Sequence, residues 1–271
     1  MSWTETASDT FLARHDERDA DDAAHVLAGL EAARLRLEPH FTEPVGDLAV
    51  VLHGSPLQLD VAEPFLPVQR ALTAPAGRRY LVGWCGVAEL HVLAPRVLAK
   101  RASNVEGSLE LLMLAPVALF ARRLVAANHP GMPPPFGPRT FRHWMRSAWL
   151  IEGAAQWLSG QSRHLRPAVA RRLHEGPRPA FPPAARDAPL LGGTIFDLLE
   201  REEGERACMY LAREPHPEGP RAMLERAFHG RAMRHTEDAW RHHLDRIAAG
   251  TIPATPRRRR RSTRSRERGR P

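Results

Sequence analysis

The chain has 271 residues, of which 43% are hydrophobic, 26% charged and 6% aromatic, enough for one large or two small domains with a core. This composition excludes a disulfide-stapled miniprotein, a collagen-like chain and a wholly disordered chain. Of the 39 basic and 31 acidic residues, nine arginines and one glutamate lie within 257–270, which leaves 30 of each sign elsewhere. The net charge of +8 therefore belongs to a C-terminal tail, and the body of the chain is neutral.

Cysteine usage and hydropathy predict a cytoplasmic protein. Cys85 and Cys208 lie far apart without metal-ligand spacing, so we expect two free buried thiols, with a single disulfide as the alternative. Residues 1–22 lack the basic segment followed by an apolar segment that is typical of a secretory signal. No run of 18 apolar residues is present, so we expect no membrane span.

The first half of the chain has the pattern of a small sheet with helices. Residues 1–15 are predicted to be a flexible N-terminus, and apolar spacing predicts a helix over 16–40. Short apolar runs predict three strands, over 47–53, 79–84 and 89–93. Pro95 is predicted to open a helix that ends at Arg101.

The second half has the pattern of successive helices. A helical pattern over 108–128 contains Pro116, which should kink this helix or begin a new one. A loop over 129–139 precedes further predicted helices over 146–162, 166–174, 190–203, 219–228 and 235–249. The order predicts an α+β fold, with a small mixed sheet and helices over 16–106 and a mainly helical half over 107–250. The low-complexity tail, 251–271, is predicted to be disordered.

One carboxylate lies in an otherwise uncharged segment. The sixteen residues from Ser147 to Ser162 contain Glu152 as their single charge, and apolar residues surround it on a helical wheel. Such a helix is buried, and a buried carboxylate is costly unless it binds a metal, pairs with a cation or takes a proton. Alternatively, Glu152 points to solvent through a narrow polar stripe with Gln156 and Ser159.

Trp149–Trp157 (WLIEGAAQW) resembles the WLxEGxAxY segment of gluzincin-type zinc metallopeptidases, in which the glutamate is the third zinc ligand. Ala227–Leu244 resembles the closing helical signature of that family. The segment that resembles the edge strand holding an extended substrate comprises Glu89, Leu90, His91, Val92 and Leu93. The resemblance spans roughly residues 20–250 and implies a zincin-like fold.

The catalytic motif of that family is missing. The family needs HExxH upstream of the third ligand, to supply two zinc ligands and a general base. The five best-matching positions are residues 115–119, which include Ala115, Pro116 and Leu119 and contain neither histidine nor glutamate. No two of the 14 histidines are four residues apart either. We therefore expect no catalytic residue, metal or cofactor, and a vestigial cleft formed by Glu152, Ala115, Pro116, Leu119 and Gln156.

Two arginines follow the degenerate motif by one helical turn. We expect the guanidinium of Arg122 or Arg123 to replace the zinc ion in a buried, bidentate pair with Glu152. The alternative is that both arginines only terminate the helix.

These observations favour a non-catalytic pseudo-peptidase that binds a peptide or protein through the old cleft, with the strand over 89–93 as a site for adding a ligand strand. A second hypothesis is a hydrolase with a non-standard site, in which Glu152 acts with His91, His129 or His143.

A third hypothesis is a nucleic-acid-associated protein anchored by its tail. The arginines within 257–270 could bind nucleic-acid phosphates, anionic membrane surfaces or acidic proteins. No aromatic residue lies between them, so we expect no stacking on bases and no sequence-specific reading of a nucleic acid. Alternatively, the tail is simply solvated and binds weakly. Deleting residues 251–271 is predicted to abolish retention on DNA or RNA.

Overall fold

A computed structural model describes residues 3–250, and these form an α+β fold around one five-stranded mixed sheet. The strands, in chain order, are β1 (Trp3–Ala7), β2 (Phe11–Asp16), β3 (Leu48–His53), β4 (Gly83–Cys85) and β5 (Glu89–Leu93). Their order across the sheet is β1-β2-β3-β5-β4. The three central strands are parallel, whereas β1 and β4 are antiparallel edges.

The N-terminus forms a hairpin, so the prediction of a flexible segment over 1–15 is wrong from residue 3 onward. Strand β1 pairs with β2 from Trp3 opposite Asp16 to Ala7 opposite Leu12. In β2, the side chains of Phe11 and Ala13 are buried and alternate with more exposed ones. This period of two is the pattern of a half-buried strand, and the acidic composition of the segment masked it.

The predicted helices are present, those over 95–101 and 166–174 with the predicted bounds and the others with shifted ends. Four further helices, over 56–62, 65–72, 75–78 and 205–213, were not predicted by the sequence patterns. The helices of the described residues are α1 (Ala20–Leu37), α2 (Pro56–Ala62), α3 (Phe65–Leu72), α4 (Pro75–Arg78), α5 (Pro95–Arg101), α6 (Ser108–Met113), α7 (Ala115–Asn128), α8 (Pro138–Ser159), α9 (Arg166–His174), α10 (Ala188–Glu202), α11 (Glu205–Arg213), α12 (Pro220–Ala227) and α13 (Met233–Ala249).

Proline and serine at helix starts explain most of these shifts. Pro116 lies in the first turn of α7 and therefore begins a new helix after α6. Pro138 likewise opens α8, which shortens the loop predicted over 129–139. Ser55 caps α2 by accepting a hydrogen bond from the Gln58 amide, a start signal that we did not use. The strand predicted over 79–84 is wrong for residues 79–82, because 79–80 form a turn and 81–82 are an irregular link to β4.

Two helices join the sheet to the helical half. Helix α1 packs on β2 and against α7, while α7 also packs on β4 and β5. Helix α8 lies between α7 and α10. Its backbone meets that of α10 where Gly153 faces Gly192: a Cβ on Gly153 would lie 2.6 Å from the Gly192 carbonyl carbon. No helix within residues 3–250 combines the length and hydropathy needed to cross a bilayer.

Candidate functional site

A cavity of about 60 Å³ lies where the sheet meets the helical half. Tyr80–Gly83 line it from the sheet side, and α7 and α8 close it from the other side. Its lining includes four of the five residues predicted for the vestigial cleft, namely Ala115, Leu119, Glu152 and Gln156. Pro116 is buried and does not line the cavity, because it lies on another side of α7.

Glu152 is buried beside one of the two arginines that follow the degenerate motif. The Arg122 Nη2 atom lies 3.2 Å from Glu152 Oε1, and the two side chains are 5% and 10% exposed. The Trp144 indole N–H also donates to Glu152 Oε1, over 3.2 Å. The carboxylate therefore has one hydrogen-bond donor, Trp144, and one ion-pair partner, Arg122, inside the protein. Trp144 was missed in the sequence, although its spacing of eight residues places it near the same side of α8 as Glu152.

The pair differs from the bidentate geometry that we expected. The closest contact joins Arg122 Nη2 to Glu152 Oε1, without the two parallel hydrogen bonds of a bidentate pair. Arg122 Nε and Nη2 have no well-aligned hydrogen-bond acceptor among the described residues. Arg122 therefore keeps unused donors in a buried position that lines the cavity. Arg123 lies elsewhere and donates from Nε to the Val87 carbonyl at the surface.

The polar stripe that we considered for α8 does not reach solvent. Gln156 and Ser159 are both buried. Gln156 Nε2 donates to the Pro189 carbonyl over 2.6 Å, and its Oε1 accepts from the Gly193 amide over 2.7 Å. Gln156 therefore ties α8 to the first turns of α10. This contact holds the helix that carries Glu152 against its neighbour.

The edge strand of the cleft is β4, so the prediction that residues 89–93 form the edge is wrong. Strand β5 pairs with β3 on one side and with β4 on the other. All five of its residues are therefore inside the sheet: Glu89, Leu90, His91, Val92 and Leu93. The apolar run over 89–93 correctly predicted a strand. The three residues of β4 are too few for a sequence pattern to show that β4 is the outermost strand.

The outer side of β4 has main-chain groups without a strand partner, at the half-buried Gly83 and the buried Cys85. Leu93 donates to the Val82 carbonyl and Gly86 donates to the Glu89 carbonyl, which fixes the hydrogen-bonded pairs of the β4–β5 hairpin. Since such pairs alternate along an antiparallel ladder, Gly83 and Cys85 direct their N–H and C=O groups away from β5. No main-chain hydrogen bond from another segment reaches Gly83 or Cys85 within residues 3–250.

The histidines proposed as partners of Glu152 lie elsewhere, so the hydrolase site that would combine them is not formed. His129 is buried and its Nε2 bonds the Ala212 carbonyl. His143 is exposed on α8, beside Gly131. His91 contacts His53 and two glutamates instead of Glu152. None of the three histidines lines the cavity.

His91 belongs to a separate cluster of four titratable groups on β3, β5 and the end of α2. His53 Nε2 and His91 Nδ1 share a hydrogen bond of 3.0 Å. His91 Nε2 lies 3.1 Å from Glu89 Oε2 and 3.2 Å from Glu63 Oε1. Burial, followed by the neighbouring His91, lowers the pKa of His53 from 6.5 to about 4. Burial and then Glu89 raise the pKa of the Glu63 carboxyl. The sequence offered no signal for this cluster, because its members are far apart in the chain.

The donor set of the described residues does not suit a metal. Within residues 3–250, no group of three or more His, Cys, Asp or Glu side chains is arranged to hold an ion. Cys85 and Cys208 are free and buried, and burial raises the pKa of the Cys85 thiol to about 11. The predictions for the Arg-rich tail, 257–270, lie outside the described residues and stay predictions.

In comparisons with known proteins, the chain matches no protein-family model, no curated protein and no solved structure. The likeness to gluzincin-type peptidases therefore stays a prediction from the residues quoted in the sequence analysis.

Proposed function

We propose that the protein is a non-catalytic relative of zincin-like metallopeptidases that binds an extended peptide or protein segment in the cleft beside β4. The observation that carries the proposal is the unpaired main-chain edge of β4 next to the buried Arg122–Glu152 pair. Ala115 and Leu119 support the zincin-like relationship, because they occupy the positions of the two histidines of HExxH and line the same cavity as Glu152.

The chemistry of the cleft suits binding without hydrolysis. Alanine and leucine have no atom that can bind zinc, and proline at 116 offers no general base for a water molecule. Arg122 instead provides a fixed positive charge opposite Glu152, with unused donors. The Arg122 charge attracts a carbonyl or carboxylate oxygen of the ligand, while the ligand backbone pairs with Gly83, which lines the same cavity.

The test uses peptides selected from a phage-displayed library of random 12-residue sequences. Each selected peptide is synthesised in two forms, N-methylated at odd or at even positions. Because an extended chain directs alternate N–H groups to its neighbouring strand, we expect one form to bind about tenfold or more weakly and the other to bind like the parent. Equal binding of both forms contradicts strand addition, and cleavage of a peptide by the protein contradicts the non-catalytic assignment.

The site is tested with two matched substitutions on α7. Ala118 lines the cavity, whereas Ala127 is also half-buried on α7 but lies outside it. Ala118→Phe should fill the cleft and weaken the selected peptides about tenfold or more, and Ala127→Phe should leave their affinity unchanged. Equal effects of the two substitutions place the peptide somewhere other than the cleft.

A further inference from the structure

Three arginines surround the segment that leads into β4, and we call them the arginine cluster: Arg70 on α3, Arg79 directly after α4, and Arg101 at the end of α5. Arg70 Nε donates to the Leu81 carbonyl over 2.9 Å. Arg101 Nε donates to the Arg79 carbonyl over 2.7 Å. Two of the three side chains are therefore fixed to the main chain just before β4.

The positive charge of the arginine cluster is only partly balanced. Arg70 forms an ion pair with Asp60, whereas Arg79 and Arg101 form no ion pair within residues 3–250. Burial, and then the charges of Arg70 and Arg79, lower the pKa of Arg101. Arg101 therefore lies close enough to both arginines to be repelled by them, and a bound anion would relieve this repulsion.

Two arginines of the cluster have donors that a ligand can reach. The Arg79 guanidinium has no hydrogen-bond partner within residues 3–250, and none of its nitrogens is enclosed by protein. Arg101 Nη1 is likewise neither bonded within this range nor enclosed. These donors differ from Arg122 Nε and Nη2, which are fully buried.

The arginine cluster lies at one end of the β4 edge. Tyr80–Gly83 line the cavity that holds Glu152, and Arg79 directly precedes this segment. Four residues of extended chain span at most about 14 Å, so a ligand strand that pairs with Gly83 reaches Arg79 within about four of its own residues. The opposite end of β4 has one charge of each sign nearby, Arg123 on the Val87 carbonyl and Glu89 at the start of β5.

We propose that the peptide bound in the cleft has acidic side chains about four residues from its contact with Gly83, and that they pair with Arg79 and Arg101. This inference rests on the proposed function, because it names the chemistry of the peptide that the cleft binds. Carboxylates accept charge-assisted hydrogen bonds from guanidinium groups, and such pairs near the surface add modest affinity that salt reduces.

The test extends one peptide selected for cleft binding. Six capped derivatives have Glu-Glu, Lys-Lys or Ser-Ser at the N-terminal or the C-terminal end, and fluorescence anisotropy measures their affinity for the full chain. Only one end of a bound strand passes Arg79. We therefore expect Glu-Glu at that end to bind about fivefold more tightly than Ser-Ser at low salt, and Glu-Glu at the other end to change affinity by less than about twofold.

The difference between the two ends decides the outcome. The arginines within 257–270 attract acidic residues at either end of the peptide, so an equal gain at both ends, or a gain at neither, overturns the inference. Binding of the Ser-Ser derivatives and its loss in Ala118→Phe test the cleft itself. A cleft that binds them without the end-specific gain therefore contradicts the acidic ligand alone, whereas a cleft that binds no derivative contradicts the proposed function as well.

A charge reversal locates the contact. In Arg79→Glu, Lys-Lys at the favoured end should bind more tightly than Glu-Glu, which reverses the wild-type order in a way that misfolding would not. Arg206 is exposed on α11 and forms no ion pair within the part of the chain that the structure describes, so Arg206→Glu should keep the wild-type order. The wild-type order in Arg79→Glu overturns the inference.

One further result would assign the arginine cluster to another partner. A 12-nucleotide oligo(dT) that binds the wild-type protein but not Arg79→Glu, together with no end-specific gain from Glu-Glu, would indicate that the cluster binds nucleic-acid phosphates. That result also overturns the inference.

Discussion

The Glu152 carboxylate is held in the protein interior by an ion pair with the Arg122 guanidinium on α7 and by a hydrogen bond from the Trp144 indole on α8. Burying both charges costs hydration free energy, and their mutual attraction offsets this cost only while both partners are present. The presence of the pair therefore says little about the stability of the fold. Its contacts do show how α7 and α8 are placed around the cleft.

A double-mutant cycle measures this dependence. Glu152→Leu alone should lower the free energy of unfolding by about 3–5 kcal/mol, because it leaves the Arg122 charge buried and unpaired. Adding Arg122→Met should recover much of that loss, since both buried charges are then gone. Urea unfolding of the two single variants and the double variant gives the coupling energy.

The neighbouring arginine serves as the control for this cycle. Arg123 is half-buried and bonds the Val87 carbonyl instead of Glu152, so Arg123→Met should change stability by less than about 1 kcal/mol. Additive losses for Arg122→Met and Glu152→Leu would contradict a direct interaction between the two side chains.

The His53–His91 cluster should make stability depend on pH. Because the pKa of His53 is lowered from 6.5 to about 4 in the folded state, the unfolded chain takes up the proton first as pH falls. The contribution of His53 is therefore fully present above pH 6.5 and is lost as the pH falls toward about 4. The lowered pKa of His91 acts in the same direction, and the raised pKa of Glu63 opposes it.

We expect a loss of about 1–3 kcal/mol between pH 7.5 and pH 4.5, measured by urea unfolding. His53→Gln should reduce this loss, whereas the same change at His25, an exposed residue of α1, should not. An identical pH dependence in wild type and His53→Gln would show that His53 does not contribute.

At the scale of helices, the contact between α8 and α10 depends on two glycines that face each other. Gly153 on α8 and Gly192 on α10 bring the two backbones together because neither has a side chain. Gln156, one turn further along α8, then bridges to Pro189 and Gly193. This contact fixes the position of α8 and therefore of Glu152 opposite α7.

Adding a methyl group should separate these helices. In Gly153→Ala the new Cβ would lie 2.6 Å from the main chain of Gly192, so we expect a loss of about 2–4 kcal/mol. Gly29 lies within α1 with no atom within 4 Å of an added Cβ, and Gly29→Ala should stabilise the protein by about 0.5–1 kcal/mol. Thermal unfolding of both variants makes the comparison, and a loss of similar size in both would contradict a specific contact.

Periodic patterns in the sequence located the longer helices and strands. They could not show which distant segments of the chain pair with each other. The helix over Arg166–His174 and the strand over Glu89–Leu93 have the predicted bounds, and the burial of Glu152 follows from the apolar wheel around it. The outermost position of β4 could not be predicted, because strand order depends on which segments meet in space. The same reason hid the contact between His53 and His91.

At the scale of the whole molecule, the cleft lies at the junction of the sheet and the helical half, with α7 shared by both. Its walls come from β4, α7 and α8, which are distant in the chain and are brought together by burial of apolar surface. We propose that α7 and α8 face each other across this cleft as the corresponding helices of a zinc peptidase do, with Arg122 in place of the metal.

This proposal is tested by introducing two zinc ligands. The variant Ala115→His/Leu119→His/Arg122→Ala places two imidazoles one turn apart on α7, opposite Glu152, and removes the competing cation. We predict that the purified variant binds one zinc ion per chain, measured by elemental analysis after dialysis, and that a further Glu152→Gln substitution abolishes this binding. A folded variant that takes up no zinc, or that binds it equally well without the Glu152 carboxylate, would contradict the account.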